Sequence, residues 1–181
     1  MFKYLSQIWN SKDLRKKIIF TVGIIVIYRL MAHITVPGAN TESLKAFANR
    51  NELLQMFSLL TGGSTENFSI VLMGISPYIN ASIIIQLLTV IIPKLEGISK
   101  EGEMGRRKLN SYTRWLTMPL AFLQSYGMIV LLNSQTQIPI IENINNPATI
   151  IPIMLTISAG TILLVWLGEQ ISENGIGNGI S

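Results

Sequence analysis

The sequence predicts an all-α polytopic membrane protein with four spans, and three observations carry that prediction. Long runs almost free of formal charge recur along the chain. Of its 181 residues 49% are hydrophobic and only 13% charged. The charges cluster between the runs, which is not the pattern of a soluble core. The four runs are 18–36, 68–92, 116–132 and 150–167. Each is near the length needed to cross a hydrocarbon core roughly 30 Å thick at about 1.5 Å per residue.

The chain opens with a segment, 1–17, that carries Lys3, Lys12, Arg15, Lys16 and Lys17. It is mixed rather than apolar, and no small-residue cleavage pattern follows the first run, so the first span is expected to stay as an anchor. Arg29 is the one formal charge inside any run. Counted from Lys17 it lies about 18 Å along a helix. There it either snorkels toward the far headgroups or meets a partner in a polar interior.

The connection 37–67 holds Lys45 and Arg50 against Glu42, Glu52 and Glu66. Within it 56–67, MFSLLTGGSTEN, is too short and too interrupted by Gly62 and Gly63 to span. An apolar turn followed by paired glycines reads as a short helix ending in a hinge, or as a capped surface helix.

The second run, 68–92, is uncharged over about 25 residues, yet it contains Gly74, Pro77 and Asn80. A plain anchor has no use for a helix breaker and an amide at that depth, whereas a helix lining a water-filled or gated path does. Read as a helix, it gathers Ile75, Ile79, Ser82 and Gln86 on one stripe and Ser76, Asn80, Ile83 and Leu87 on the next.

The connection 93–115 is strongly basic, with Lys94, Lys100, Arg106, Arg107, Lys108 and Arg114. Glu96, Glu101 and Glu103 lie among these and read as charge-balancing partners. The third span follows, then the connection 133–149 without any Lys or Arg, then the fourth span. The basic segments belong in the cytoplasm and the others outside, so parity returns 168–181 to the cytoplasm. That glycine-spaced stretch leads toward a further helix that the 181 residues do not include, as a piece of a longer chain would.

Enzyme chemistry finds no footing. There is no GxxxxGK[ST], HExxH or GxSxG, and the GIGNGI at 175–180 follows a membrane run rather than a strand. Cysteine is absent and His33 is the single histidine, so no thiolate or His-rich metal site is expected, and no catalytic residue, metal or cofactor. A pore or transport role is the leading expectation. Half of a secondary transporter, or a structural subunit without transport activity, are the alternatives. The first of these should carry charged or cation-binding residues near the midplane.

Several long stretches resemble the SecY family, channel subunits of the bacterial protein translocase. They are GISPYINASIIIQLLTVIIPKLE at 74–96, KEGEMGRRKLNSYTR at 100–114 and WLGEQISENGIGNGIS at 166–181. DLRKKI from Asp13 and HITVPG from His33 extend the likeness over nearly the whole chain. The resemblance implies most of the first half of a ten-helix channel that passes unfolded secretory and membrane polypeptides and releases signal segments sideways into lipid. It implies that Ile75 and Ile79 belong to an apolar pore ring that resists water and ions by dewetting. It also places Ser76, Asn80, Ile83 and Leu87 at a lateral gate, with Asn80 where many relatives carry a small hydroxyl residue. Met56, Phe57, Leu59, Leu60, Gly62 and Gly63 would belong to a plug. Arg106, Arg107 and Lys108 are candidate cytoplasmic docking residues, or attract anionic lipids. The partners it implies are the remaining half of the channel, a SecE-like clamp, a SecG-like accessory subunit, and a SecA-like motor ATPase or ribosome. The membrane would be the plasma membrane, with the amino terminus cytoplasmic.

Overall fold

The computed structural model describes residues 11–50, 55, 56, 58, 62–136 and 139–180, and of these the side chains of all but 47–50. Among them every regular element is a helix, and the one β feature is an isolated antiparallel bridge between Thr35 and Ser69.

Helix α1, Lys12–Met31, starts where Ser11 caps it, its hydroxyl accepting from the Leu14 amide at 3.3 Å, with Asp13 in the positive first turn. It therefore takes in most of the basic cluster and ends short of residue 36. Helix α2, Thr41–Arg50, follows Asn40, whose side chain accepts from the Ser43 amide.

The run 68–92 is not one helix. Residues 68–75 fold as turns and a bridge, and helix α3 occupies only Ser76–Ile91. Phe68 and Gly74 both take positive φ, 44° and 56°, which no α-helix accommodates. Pro77 then sits in the first turn of α3, where its missing N–H costs nothing. At the other end Ile92 is extended, as a residue before proline prefers, and α4, Pro93–Lys100, leaves at 104° to α3.

The basic connection is also more ordered than a loop. After Gly102, whose φ of 71° suits glycine, α5 runs Glu103–Gln135 and absorbs 103–115 together with the third apolar run. At about 1.5 Å per residue its 33 residues reach about 50 Å, well beyond one hydrocarbon thickness. Helix α6, Pro147–Asn174, begins at Asn146, which caps the Ala148 amide, and continues seven residues past the fourth run.

Among the described residues two helices, α5 and α6, are long and apolar enough to cross a membrane, and the bent pair α3 and α4 makes a third crossing if it is taken as one span. Helix α1 falls outside that group because it incorporates Lys12, Asp13, Arg15, Lys16, Lys17 and Arg29.

Among the described residues the core has two centres. One gathers Val36, Leu44, Phe68, Ile129, Ile141 and Ile157, joining the connection 32–40, helix α2 and the connection 139–146 to α5 and α6 at one end of the bundle. Asn133 secures that end: its Oδ1 accepts from the amides of Ile140 at 2.6 Å and Ile141 at 3.1 Å. The Ile140 carbonyl in turn accepts from the Asn40 amide. The second centre packs Ile24, Met31 and Ala32 of the α1 region on Val71, Leu164 and Leu167. At the opposite end, the Thr21 hydroxyl of α1 accepts from the Ile176 amide at 3.1 Å, fastening the segment after α6.

Candidate functional site

The segment 62–75 lies between α1 and α6 and leads directly into α3. Its backbone is spent on specific partners rather than on a helix ladder. The Val36 amide donates to the Phe68 carbonyl and the Ile70 amide to the Ile34 carbonyl, both at 3.0 Å. Gly62 and Gly63 take φ of 67° and 86°, which lets the chain turn sharply where a side chain would be strained. Phe68 is 1% exposed in the first core centre, and this burial holds its own positive φ in place.

Two tethers seat the segment. On α6, a Cβ at Gly160 would collide with the Ile70 carbonyl oxygen and lie 2.7 Å from its carbon, so helix and segment touch backbone to backbone. On α1, Arg29 donates from Nη1 to the Gly62 carbonyl at 2.8 Å. Of the two expectations for Arg29, the structure therefore supplies a protein partner. That partner lies 33 residues away and no local pattern points to it. Gly160, in the small-residue run Ser158-Ala159-Gly160-Thr161, did carry a signal of close helix approach.

Helix α3 then presents three faces. Pro77, Tyr78, Ala81 and Ile85 are buried, and α5 is the helix it packs against most closely. Ile75 is half-buried at the helix start and lines a cavity of about 440 Å³ together with Ile24, Tyr28, Leu164 and Ile171. One turn on, Ile79 is 43% exposed. Deeper along this stripe Gln86 donates to Ser82 at 3.4 Å, so its two polar members satisfy each other. The neighbouring stripe, Ser76, Asn80, Ile83 and Leu87, is exposed throughout. This second stripe lies on the side of α3 turned away from α5, whereas Ser82 and Gln86 of the first border a cleft shared with α5.

Of the predicted plug residues, Met56 is helical and exposed, Gly62 and Gly63 form the turn just described, and Phe57, Leu59 and Leu60 lie outside the described residues. The basic patch divides. Lys108 pairs with Glu101 at 2.9 Å and Lys100 with Glu96 at 2.6 Å, as expected of charge-balancing carboxylates. Arg106 and Arg107 are exposed, and Arg106 borders a small polar cleft with Gln86, Thr89 and Asn110. Arg114 joins α5 to α6 through Glu169, Nε to Oε1 at 2.8 Å, a link the sequence reading did not anticipate. Among the described residues no group of three His, Asp or Glu side chains could hold a metal ion.

Comparison with known proteins places this arrangement. A family model described as SecY matches residues 69–181. The protein translocase subunit SecY of Bacillus licheniformis is 45% identical over 185 residues, covering 100% of this chain and 42% of that protein. SecY 1 of Lactobacillus kefiranofaciens is 43% identical over 182 residues, with 100% and 42% covered. The chain therefore spans about two fifths of the length of these relatives. Solved structures share the fold, two of them as follows. One is canine Sec61 in a ribosome–channel complex from the endoplasmic reticulum, with TM-score 0.59, 21% identity, and 92% of this chain and 34% of that one covered. The other is a SecY whose plug domain stabilises the closed channel and maintains a membrane seal, with TM-score 0.61, 23% identity, and 92% and 33% covered. On the family match and on relatives alike over its whole length, the chain belongs to the SecY family.

Proposed function

We propose that this chain supplies the amino-terminal portion of a protein-conducting channel, passing unfolded polypeptides across the membrane and releasing signal or membrane segments sideways into lipid. One observation carries the reading: a glycine-bracketed, non-helical segment seated between α1 and α6 feeds a helix at whose start Ile75 lines a cavity and, one turn on, Ile79 is exposed. Bulky apolar side chains at a narrow throat oppose water and ions by dewetting, yet yield to a passing chain. The half-length helix also makes sense, since irregular backbone at membrane depth is tolerated where it is buried in protein or lines a cavity.

In this reading α1, extended through residue 36, is the first of four spans, 68–92 is a broken span, and the amino terminus faces the cytoplasm of a cell with a plasma-membrane translocase. The family membership and the sided clustering of Lys and Arg support that orientation. The segment around Met56 to Gly63 acts as the plug. The exposed stripe Ser76, Asn80, Ile83 and Leu87 faces the lateral gate, completed by the remaining half of the channel. Arg106 and Arg107 are the stronger docking candidates, because Lys108 already has a carboxylate partner. The chemistry of the channel is conformational and not enzymatic, so the driving free energy comes from a SecA-like motor, a ribosome or the membrane potential, with SecE-like and SecG-like subunits as companions.

The test is to replace Ile75 and Ile79 together with Ser in the complete channel and measure ion conductance in planar bilayers. A raised resting leak is expected. Conductance and export both unchanged would remove these residues from the throat.

A further inference from the structure

We infer that Arg29 is the positioning residue that latches the segment 62–75 in its closed seat, through the hydrogen bond from its guanidinium to the Gly62 carbonyl. The inference deepens the channel reading above and rests on it for its functional consequence.

Three observations converge on this contact. First, a charged side chain stands in an otherwise uncharged run, where its cost demands a polar partner. Its Nη1 meets the Gly62 carbonyl at 2.8 Å, the length of a charge-assisted hydrogen bond. Second, the acceptor is placed by a backbone conformation that favours glycine. Gly62 has φ of 67°, where any side chain would be strained, so the backbone that presents this carbonyl is set by the residue type at 62. Third, the residues just after α1 provide a ready-made frame for the segment. The Asn67 amide side chain reaches the Ala32 carbonyl at 3.5 Å, and the Thr35–Ser69 bridge follows. Arg29 thus tethers the leading end of the segment, while Ala32 and Thr35 hold its continuation. Arg29 is exposed rather than packed into either core centre. Its bond can therefore be broken without opening a cavity in either core centre, which suits a latch that must release.

The 181 residues contribute no cysteine, so in a channel whose remaining cysteines have been replaced a single Glu66→Cys reports on the segment. The complete channel with its companion subunits is placed in lipid nanodiscs, which expose both faces, and the rate of maleimide labelling at position 66 is compared between Arg29, Arg29→Gln and Arg29→Lys. Loss of one hydrogen bond to a charged group shifts a local closed–open equilibrium by about tenfold. Labelling is expected to rise by about that factor in Arg29→Gln. It should rise less in Arg29→Lys, which keeps the charge and one usable donor, and which also guards against a Gln variant that fails to assemble. Equal labelling rates in properly assembled Arg29 and Arg29→Lys or Arg29→Gln channels would overturn the latch. Resting ion conductance of the same variants separates the two claims. Faster labelling with a leak supports latch and plug together, whereas faster labelling without a leak keeps the latch and removes the plug role from this segment.

Discussion

Gly160→Ala should destabilise the protein, although alanine is the better helix former. In an unobstructed helix interior the change gains about 1 kcal/mol. Gly160 is obstructed: the added Cβ would overlap the Ile70 carbonyl oxygen and lie 2.7 Å from its carbon. Carbon pairs are comfortable at roughly 3.5–4.0 Å, so α6 and the segment 62–75 must separate by about 1 Å. No rotamer can relieve the contact, because backbone stands on both sides. Overpacking of this kind costs about 1–3 kcal/mol, and a backbone clash belongs at the upper end. The net loss is then about 2 kcal/mol. Gly127, within α5, supplies the control: it lies in a helix too, but nothing stands within 4 Å of its Cβ position. There the same substitution should be neutral or gain up to about 1 kcal/mol. Thermal midpoints and protease resistance of the two purified variants, in the same detergent, measure the gap of about 2–3 kcal/mol. If Gly160→Ala proved as stable as Gly127→Ala, α6 would not be the seat of this segment.

Asn133→Ala should loosen the end of the bundle opposite Thr21. It strips partners from the amides of Ile140 and Ile141, whose side chains are almost fully buried, at a cost of about 1–3 kcal/mol for each amide left unsatisfied. Limited proteolysis of the connection 136–146 should accelerate, and an unchanged cleavage rate would refute the role. Across the Arg114–Glu169 pair the two single changes should be unequal, since the arginine side chain is 55% exposed and the carboxylate only 16%. Arg114→Ala leaves a shielded carboxylate unpaired and should cost more than Glu169→Gln, while solvent screening of Arg114 keeps the coupling near 1 kcal/mol or less. A double-mutant cycle on thermal stability reads that coupling, and equal single effects with no coupling would show that the contact is incidental.

The apolar runs 116–132 and 150–167 lie inside α5 and α6, so hydropathy located those helices correctly and failed only at their ends. It marks where charge begins rather than where hydrogen bonding stops. Residues 103–115 continue α5 because Glu, Arg, Lys and Leu are good helix formers whether or not lipid surrounds them. The opposite error occurred at 68–75, where an uncharged run folds as turns. Its cause was present in the sequence as Gly74 and Pro77, but the positive φ of Phe68 was not, since it depends on a core formed with Val36 and Ile141. The two stripes of α3 were legible because Ser76–Ile91 is a regular helix and its period fixes which residues share a face. The seat of the preceding segment was not. Arg29 and Gly62, or Gly160 and Ile70, meet only through tertiary packing, and one chain read alone offers no signal that pairs them.

The central claim is that the start of α3 borders the path of a moving polypeptide. It is tested most directly by single cysteines at Ile79, Val130 and Leu163, each exposed in this chain, facing a secretory polypeptide that is stalled in transit and carries one cysteine of its own. A disulfide at Ile79 during transit, absent before it begins and absent at Val130 and Leu163, is the expected result. Cross-linking at Val130 or Leu163 with none at Ile79 would place the path elsewhere and contradict the account.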